Sequence, residues 1–247
     1  MVLKIAGIIA KWIFVLCLPF LLLTASIWWA ANSHWLYTSG FERYDVGQTT
    51  GLSQAELERI ATELIDYFNL PEEYVSITAN NDGQPFELFT EEEVIHFRDV
   101  KGLFRLDFNV LLGTGIFAAG YVAVSLLWRR PRYWRGLAKA TLIGSSITLA
   151  LMLAVGLWTL LNFDQLWLHL HLFIFSNEFW SAQGYMLQLF PGGFWYDVVR
   201  LCALIIVVTT LVLGGVGGGY LLATRRSASR QSDPLANTEN GERIDNG

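Results

Sequence analysis

Charged residues are scarce in this sequence. Asp, Glu, Lys and Arg together make up 16% of its 247 residues, against about a quarter in soluble globular domains. Four stretches contain none of them: 12–41, 108–128, 140–163 and 201–224. Each is long enough for the roughly 20 helical residues that cross a hydrocarbon core. The scarcity of charge excludes an ordinary soluble domain and predicts four membrane-spanning α-helices, because a helix satisfies its own backbone hydrogen bonds in lipid.

Cysteines and several catalytic motifs are also few or missing. The two cysteines, Cys17 and Cys202, lie in or beside apolar stretches, which excludes a disulfide framework and a cysteine-based metal site. The sequence contains neither Gly-x-Ser-x-Gly nor His-Glu-x-x-His, the signatures of serine hydrolases and zinc peptidases. The predicted spans have almost no ionisable residues, which disfavours a polar transport pathway. The four histidines therefore become the main candidates for chemistry.

Most of the basic residues that flank the predicted spans lie on one side. They precede the first span, occupy the loop after the second and follow the fourth, at Lys4, Lys11, Arg129, Arg130, Arg132, Arg135, Lys139, Arg225, Arg226 and Arg230. Because short cytoplasmic loops are enriched in Lys and Arg, these regions and both termini are predicted to be cytoplasmic. The remaining polar segments then face outward. The net charge of −5 thus combines a basic inner side with an acidic outer side, and it gives no indication of nucleic-acid binding.

We therefore predict an all-α integral membrane protein with a small α+β extracytoplasmic segment and an interfacial or re-entrant element. The predicted order is a cytoplasmic N-terminus 1–9, a first span 10–31, an extracytoplasmic segment 32–106, a second span 107–127, a basic cytoplasmic loop 128–139, a third span 140–161, an extracytoplasmic interfacial element 162–198, a fourth span 199–223 and a disordered cytoplasmic tail 224–247.

Local patterns define the elements of the extracytoplasmic segment. Ser53 and Glu56 form a capping box before an apolar helical pattern, which predicts a helix over 54–68. Two short β-type runs flank residues 81–83, Asn-Asp-Gly, and this predicts a hairpin. A second capping box, Thr90 to Glu93, starts another helix that can continue into the second span.

The element 162–198 is too apolar for a solvated loop, but His169, His171, Asn177 and Glu178 interrupt it. An in-plane or re-entrant element fits this composition. His171 follows Asp164 by seven residues, or about two helical turns, so both would lie on one helix face. His169, two residues from His171, would face elsewhere.

Residue types alone leave the role of the histidines open. His96 can be a surface helix residue, and His171 can be an interfacial ring whose polar tip reaches lipid headgroups. His34 is interpreted as an interfacial side chain. The alternative is that His96 and His171 form a catalytic pair. A metal site built from these two histidines and Asp99 lacks a diagnostic spacing.

Two sequence blocks favour the catalytic alternative. Residues 89–101 read Phe-Thr-Glu-Glu-Glu-Val-Ile-His-Phe-Arg-Asp-Val-Lys, and a second block begins at Phe163 and ends at Asp197. With the four-span layout, these blocks resemble the bacterial lipoprotein intramolecular transacylase (Lit) family over most of residues 1–225. The resemblance implies an enzyme in the bacterial cell membrane that acts at the outer leaflet. It implies that the sn-2 acyl chain of a diacylglyceryl lipoprotein moves to the α-amino group of the N-terminal cysteine.

The same resemblance implies that His96 and His171 are the catalytic acid and base. We expect Asp99 and Asp164 to support these imidazoles and Asn177 to be a candidate oxyanion donor. Glu178 stands where Asp is common in the family. The partners implied are the lipoprotein substrate and membrane lipid, and no nucleotide, metal or other cofactor is required. We also expect a lipid-accessible cleft roofed by 165–180.

The competing hypothesis is a non-enzymatic membrane protein whose extracytoplasmic segment docks a partner. It requires an exposed apolar face on the helix 54–68. It also predicts that the imidazoles of His96 and His171 lie well apart, with no shared cleft.

Overall fold

The computed structural model describes residues 2–81, 83–128 and 131–231. Within these residues the chain forms eight α-helices, a 3-10 turn and two β-strands. The helices are α1 (Val2–Ala31), α2 (His34–Arg43), α3 (Val46–Thr50), α4 (Gln54–Asn69), α5 (Glu91–Leu127), α6 (Pro131–Ile174), α7 (Tyr185–Leu189) and α8 (Gly192–Gln231). The strands are β1 (Thr78–Asn81) and β2 (Gln84–Glu87), and the 3-10 turn is Phe179–Ser181.

Four of the described helices, α1, α5, α6 and α8, are long and apolar enough to cross a membrane. The prediction of four spanning helices is therefore confirmed. Each helix extends beyond the span predicted for it at one or both ends. Some predicted features lie outside the described residues, namely Asp82 of the hairpin turn, Arg129 and Arg130 of the basic loop, and the tail after 231.

Both predicted helix starts have the expected N-cap residue, and the reciprocal capping box is complete at the second. The Ser53 hydroxyl accepts a hydrogen bond from the Glu56 N–H at 3.3 Å, and α4 begins directly afterwards. Thr90 and Glu93 bond reciprocally at the start of α5, at 3.3 and 2.9 Å. These contacts satisfy N–H groups that have no partner within the helix. Helix α5 continues without interruption into the predicted second span, as expected.

The predicted hairpin is formed by β1 and β2, which pair antiparallel with Asn80 opposite Pro85. Proline is tolerated here because the sheet has two strands and each strand has a free edge. The short helices α2, α3 and α7 have no counterpart in the predicted elements. They are brief, and they are stabilised by packing in the core described below more than by their own length.

The third long helix is broken at Asn162, whose backbone angles are φ −160° and ψ 83°. The Asn162 side-chain oxygen accepts a hydrogen bond from the Gln165 N–H at 3.1 Å, as an N-cap residue does. The part of α6 after Asn162 is thus a newly capped helix that runs to Ile174. The predicted interfacial element therefore begins with a helix that follows the break, and the 3-10 turn and α7 come next.

The described residues divide into two compact units. One comprises residues 2–19, 115–128, 131–149 and 208–231. Its helices pack closely where α8 is rich in glycine, over residues 214–219. A Cβ on Gly217 would lie 2.9 Å from the Ala138 carbonyl oxygen, and one on Gly214 would lie 3.2 Å from the Ser145 side chain.

The other unit comprises residues 20–81, 83–114 and 150–207. Its core is a cluster of buried side chains from α2, α3, α4, the hairpin, the start of α5, α7 and the start of α8. The apolar face of α4 is part of it, through Leu57, Ile60, Ala61, Leu64 and Tyr67. Lys101 of α5 is also buried, and its ammonium donates to the backbone carbonyls of Tyr67 and, at 2.6 Å, of Glu72. These bonds fix α5 against the end of α4.

Candidate functional site

His96 lies on the second turn of α5 and is buried, with 7% of its surface exposed. The start of this helix is held by Glu93, whose side chain is fully buried. One Glu93 oxygen completes the capping box, and the other accepts a hydrogen bond from the Met186 N–H at 2.7 Å. Glu93 thereby ties the helix that carries His96 to the start of α7.

Gly184 makes this tie possible by allowing a close approach. A Cβ at this position would collide with the carboxylate of Glu93. The chain 184–186 can therefore lie directly against the carboxylate only if residue 184 has no side chain.

His171 lies near the end of α6 and is also 7% exposed. Its Nδ1 is 2.8 Å from the carbonyl oxygen of Trp167, four residues earlier. A carbonyl oxygen only accepts hydrogen bonds, so Nδ1 must carry the proton. In the neutral ring the lone pair is then on Nε2, the nitrogen a base would use.

The fold brings these two imidazoles together from separate helices. Their ring centres are 6.4 Å apart and their planes are inclined by 27°. Phe175 lies against both, with its ring centre 4.8 Å from His96 and 5.5 Å from His171. Two imidazolium charges so close together would repel strongly, so we expect at most one ring to be charged at a time.

Tryptophans form the remaining wall around His171. Its ring centre is 4.5 Å from Trp167 and 5.0 Å from Trp180. Trp167 in turn stacks on Trp195 at the start of α8, at 5.2 Å. This aromatic wall limits water at the site, and hydrogen bonds and charges act more strongly where water is limited.

Two polar atoms at the site are buried and lack a hydrogen-bond partner among the described residues. They are Nδ1 of His96 and the indole Nε1 of Trp180. Buried polar atoms are nearly always paired, so both of these are available to a bound molecule or to water. The site is therefore suited to a substrate with both hydrogen-bond donors and acceptors.

Asp99, one turn after His96, accepts a hydrogen bond from the Asn177 side-chain amide at 2.9 Å. It also lies 3.3 Å from the guanidinium of its neighbour Arg98. The Asn177 oxygen accepts from the Phe179 N–H at 3.1 Å. The Asn177 oxygen and one of its two amide N–H groups are thus engaged, and its second N–H is not used by these contacts. Glu178 is exposed, and its backbone carbonyl accepts from Ser181.

The fold does not bring Asp164 to His171. Its carboxylate is exposed, and the Trp167 carbonyl occupies Nδ1 of His171. Seven residues of helix correspond to about 10 Å along the axis, which is too far for a short Asp side chain. A shared helix face was therefore an insufficient criterion for contact.

The remaining histidines lie outside the pair. His169 is exposed, and its Nδ1 bonds to the Gln165 carbonyl at 2.7 Å. His34 is exposed and lies 3.4 Å from the Glu58 carbonyl. Only His171 of the neighbouring pair 169 and 171 faces His96, in agreement with the family blocks.

Sequence reasoning missed the roles of Glu93, Trp167 and Trp180. Glu93 carried a signal, since the capping box placed it correctly, but nothing in the sequence indicated its second bond to Met186.

Within the described residues, no group of three or more His, Cys, Asp or Glu side chains is placed to hold a metal ion.

Comparisons with known proteins agree with this architecture. The family model described as lipoprotein intramolecular transacylase Lit matches residues 12–195. The crystal structure of the membrane integral transacylase Lit from Bacillus cereus superposes with a TM-score of 0.72 at 17% identity, covering 91% of this chain and 99% of the other. A variant of that protein with a histidine replaced by alanine gives 0.67 at 16% identity, covering 91% and 97%. A search of curated protein sequences gave no match.

Proposed function

The chain belongs to the lipoprotein intramolecular transacylase (Lit) family, and from this premise we propose which acyl chain it moves and where. It is an acyltransferase that acts on lipoproteins. In our proposal it moves the sn-2 acyl chain of the S-diacylglyceryl group to the α-amino group of the same lipoprotein's N-terminal cysteine. The product is the lyso-form lipoprotein.

The observation that carries this proposal is the pair of buried imidazoles, 6.4 Å apart. The reaction breaks an ester C–O bond, forms an amide C–N bond and moves one proton from nitrogen to oxygen. An α-amino group has a pKa of about 7.7–8.0, so it must first lose its extra proton to become a nucleophile. Imidazole is suited to both steps, as acceptor of the amine proton and donor to the departing alkoxide.

We assign His171 as the base and His96 as its acid partner. The bond to the Trp167 carbonyl fixes the His171 tautomer with Nε2 free to accept a proton. His96 has a buried nitrogen without a partner among the described residues, which can contact the leaving oxygen. Amine and ester belong to one substrate molecule, so holding them together supplies a large proximity effect.

The indole N–H of Trp180 is our candidate for stabilising the oxyanion. It is buried and unpaired within the described chain, and its ring lies 5.0 Å from that of His171. The negative oxygen of the tetrahedral intermediate would supply the missing acceptor.

Trp180→Phe should keep the aromatic packing and remove the donor. We expect the maximal rate of transfer to fall by roughly 10²-fold, the usual effect of losing one oxyanion donor. The KM and the thermal stability should change little. The matched control is Trp158→Phe, which alters an exposed tryptophan beside His169. A wild-type maximal rate in Trp180→Phe would exclude the indole as donor.

Asp99 and Asn177 are proposed to position the site by tying α5 to the segment after α6. Asn177→Asp would place two carboxylates in contact, and we expect it to lower the initial rate by about 10–100-fold. Combining it with Asp99→Asn reverses the pair and should restore most of the rate. Failure of the double variant to recover would indicate that the hydrogen bond itself is not what matters.

Asp164→Asn is the control for this pair. Because the Asp164 carboxylate is exposed, its replacement should leave most of the rate and the pH profile unchanged. A shifted pH profile in this variant would restore Asp164 to the mechanism.

The site is inferred to lie at the outer leaflet of the bacterial cell membrane, with both termini cytoplasmic. This follows from the positions of the basic residues and from the substrate, whose acyl chains are costly to withdraw from lipid.

The direct test of the function is mass spectrometry of a lipoprotein's N-terminal peptide, from cells with and without this protein. Only the former should yield the N-acylated lyso-form.

The structure does not meet the requirements of the competing docking hypothesis. It requires an exposed apolar face on α4, but that face is buried in the core. It also requires imidazoles that lie well apart, whereas their ring centres are 6.4 Å apart. In addition, family membership identifies an enzyme.

A further inference from the structure

A lateral groove of about 720 Å³ lies apart from the histidine pair. Neither histidine lines it, and neither does any residue of 165–180, so it is not the predicted cleft roofed by that segment. Its walls are mostly apolar and come from α2, α6 and α8. The lining includes Leu36, Met152, Val155, Leu160, Phe194, Val198, Leu201 and Leu204.

One part of the groove is polar and built around Asp197. This carboxylate accepts a hydrogen bond from the Tyr44 hydroxyl at 2.7 Å. It also pairs with Nε of Arg43 at 3.2 Å and with Nη1 of Arg200 at 3.7 Å. Asp197 therefore contacts two guanidinium groups beside an apolar groove.

The charges of this cluster are unequal. Two guanidinium groups face one carboxylate, so the cluster has a net charge of +1. The side chains of Arg43 and Arg200 are 68% and 58% exposed, whereas that of Asp197 is 24% exposed. Each guanidinium has five N–H donors, and the bond to Asp197 uses one nitrogen of each. The exposed donors are suited to a phosphate, which guanidinium groups bind with matching geometry.

We propose that this groove binds an anionic glycerophospholipid. The phosphate lies on Arg43 and Arg200, and one acyl chain lies along the apolar wall between α6 and α8. The diacylglyceryl group of the lipoprotein has no phosphate, so this ligand is distinct from the substrate. A free phosphate would leave the apolar wall uncovered. The binding site thus goes beyond the proposed acyl transfer.

The test is lipid retention, measured by native mass spectrometry after the full-length protein is extracted from vesicles of phosphatidylglycerol and phosphatidylcholine in equal amounts. The wild-type protein should retain phosphatidylglycerol about tenfold more than phosphatidylcholine. Arg43→Gln combined with Arg200→Gln should abolish this preference. Arg105→Gln, at another exposed arginine, should preserve it.

A second variant blocks the apolar wall without touching the arginines. A Cβ on Gly156 meets no atom within 4 Å, and Gly156 lines the groove. Gly156→Leu should therefore fill the groove, keep α6 intact and reduce retention of both lipids by about tenfold. Gly113→Leu is the matched control, because Gly113 of α5 also has open space around it.

Several results would overturn the proposal. They are equal retention of the two lipids by the wild-type protein, unchanged retention in both groove variants, or full displacement of phosphatidylglycerol by inorganic phosphate. The readout is bound lipid and not acyl transfer, so it is independent of whether the proposed function is correct.

Discussion

Replacing His96 or His171 by alanine is expected to lower the initial rate of lyso-lipoprotein formation by about 10²–10⁴-fold, the usual contribution of a general acid or base. Both rings are buried in one aromatic site, and each has a nitrogen available to a substrate. Membrane insertion should be unaffected, because alanine does not reduce the apolar character of the spans. The rate is measured as N-acylated peptide by mass spectrometry with purified lipoprotein.

The chain provides a closely matched control. His169 is two residues from His171 but is exposed, so His169→Ala should transfer acyl chains at close to the wild-type rate. The double variant at His96 and His171 should be little worse than either single variant, since groups that act as a unit are not additive. If both single variants gave near-normal product, the assignment of the pair would be wrong.

Replacing Glu93 by alanine is expected to destabilise the protein by roughly 2–6 kcal/mol. The buried carboxylate accepts from the N–H groups of Thr90 and Met186, and both would lose their partner. Each unsatisfied buried donor costs about 1–3 kcal/mol. At 2–4 °C per kcal/mol for a chain of this size, the midpoint of thermal unfolding should fall by about 4–24 °C. Transfer activity should fall as well, because the helix that carries His96 loses its anchor.

Two further variants separate the carboxylate from its general location. Glu92→Ala removes an exposed neighbour and should change the unfolding midpoint by at most a degree or two. Glu93→Gln keeps one acceptor oxygen and should cost less than half as much as alanine. An unfolding midpoint in Glu93→Ala equal to that of the wild type would show that the tie to Met186 contributes nothing.

The parts of the fold that could be predicted from sequence are those with local causes. The four spans followed from the absence of charge, since each apolar stretch must satisfy its own backbone in lipid. The two capping boxes followed from side chains three residues apart, which meet in any helix start. His96 and His171 were both identified, although their choice depended on the family blocks as well as on residue type.

The contacts of the site could not be predicted because they join distant segments. Asn177 is 78 residues from Asp99, and no periodicity relates them. The same holds for the bond from Met186 to Glu93, 93 residues apart. Asp164 shows the opposite case, in which helical spacing indicated a shared face but the distance along the axis was too great. Short helices such as α2 and α7 were not predicted, because they are stabilised by packing against distant segments and not by a local sequence pattern.

The break at Asn162 has a consequence for how the protein tolerates change. In an uninterrupted helix, inserting one residue rotates everything beyond it by about 100°. Here the hydrogen-bond ladder stops and a new helix starts at its own cap, so the orientation of 163–174 is set locally. Stacking of Trp167 on Trp195 then fixes that segment against α8. We therefore expect an insertion or deletion in the span before Asn162 to disturb the orientation of His171 less than it would in an uninterrupted helix.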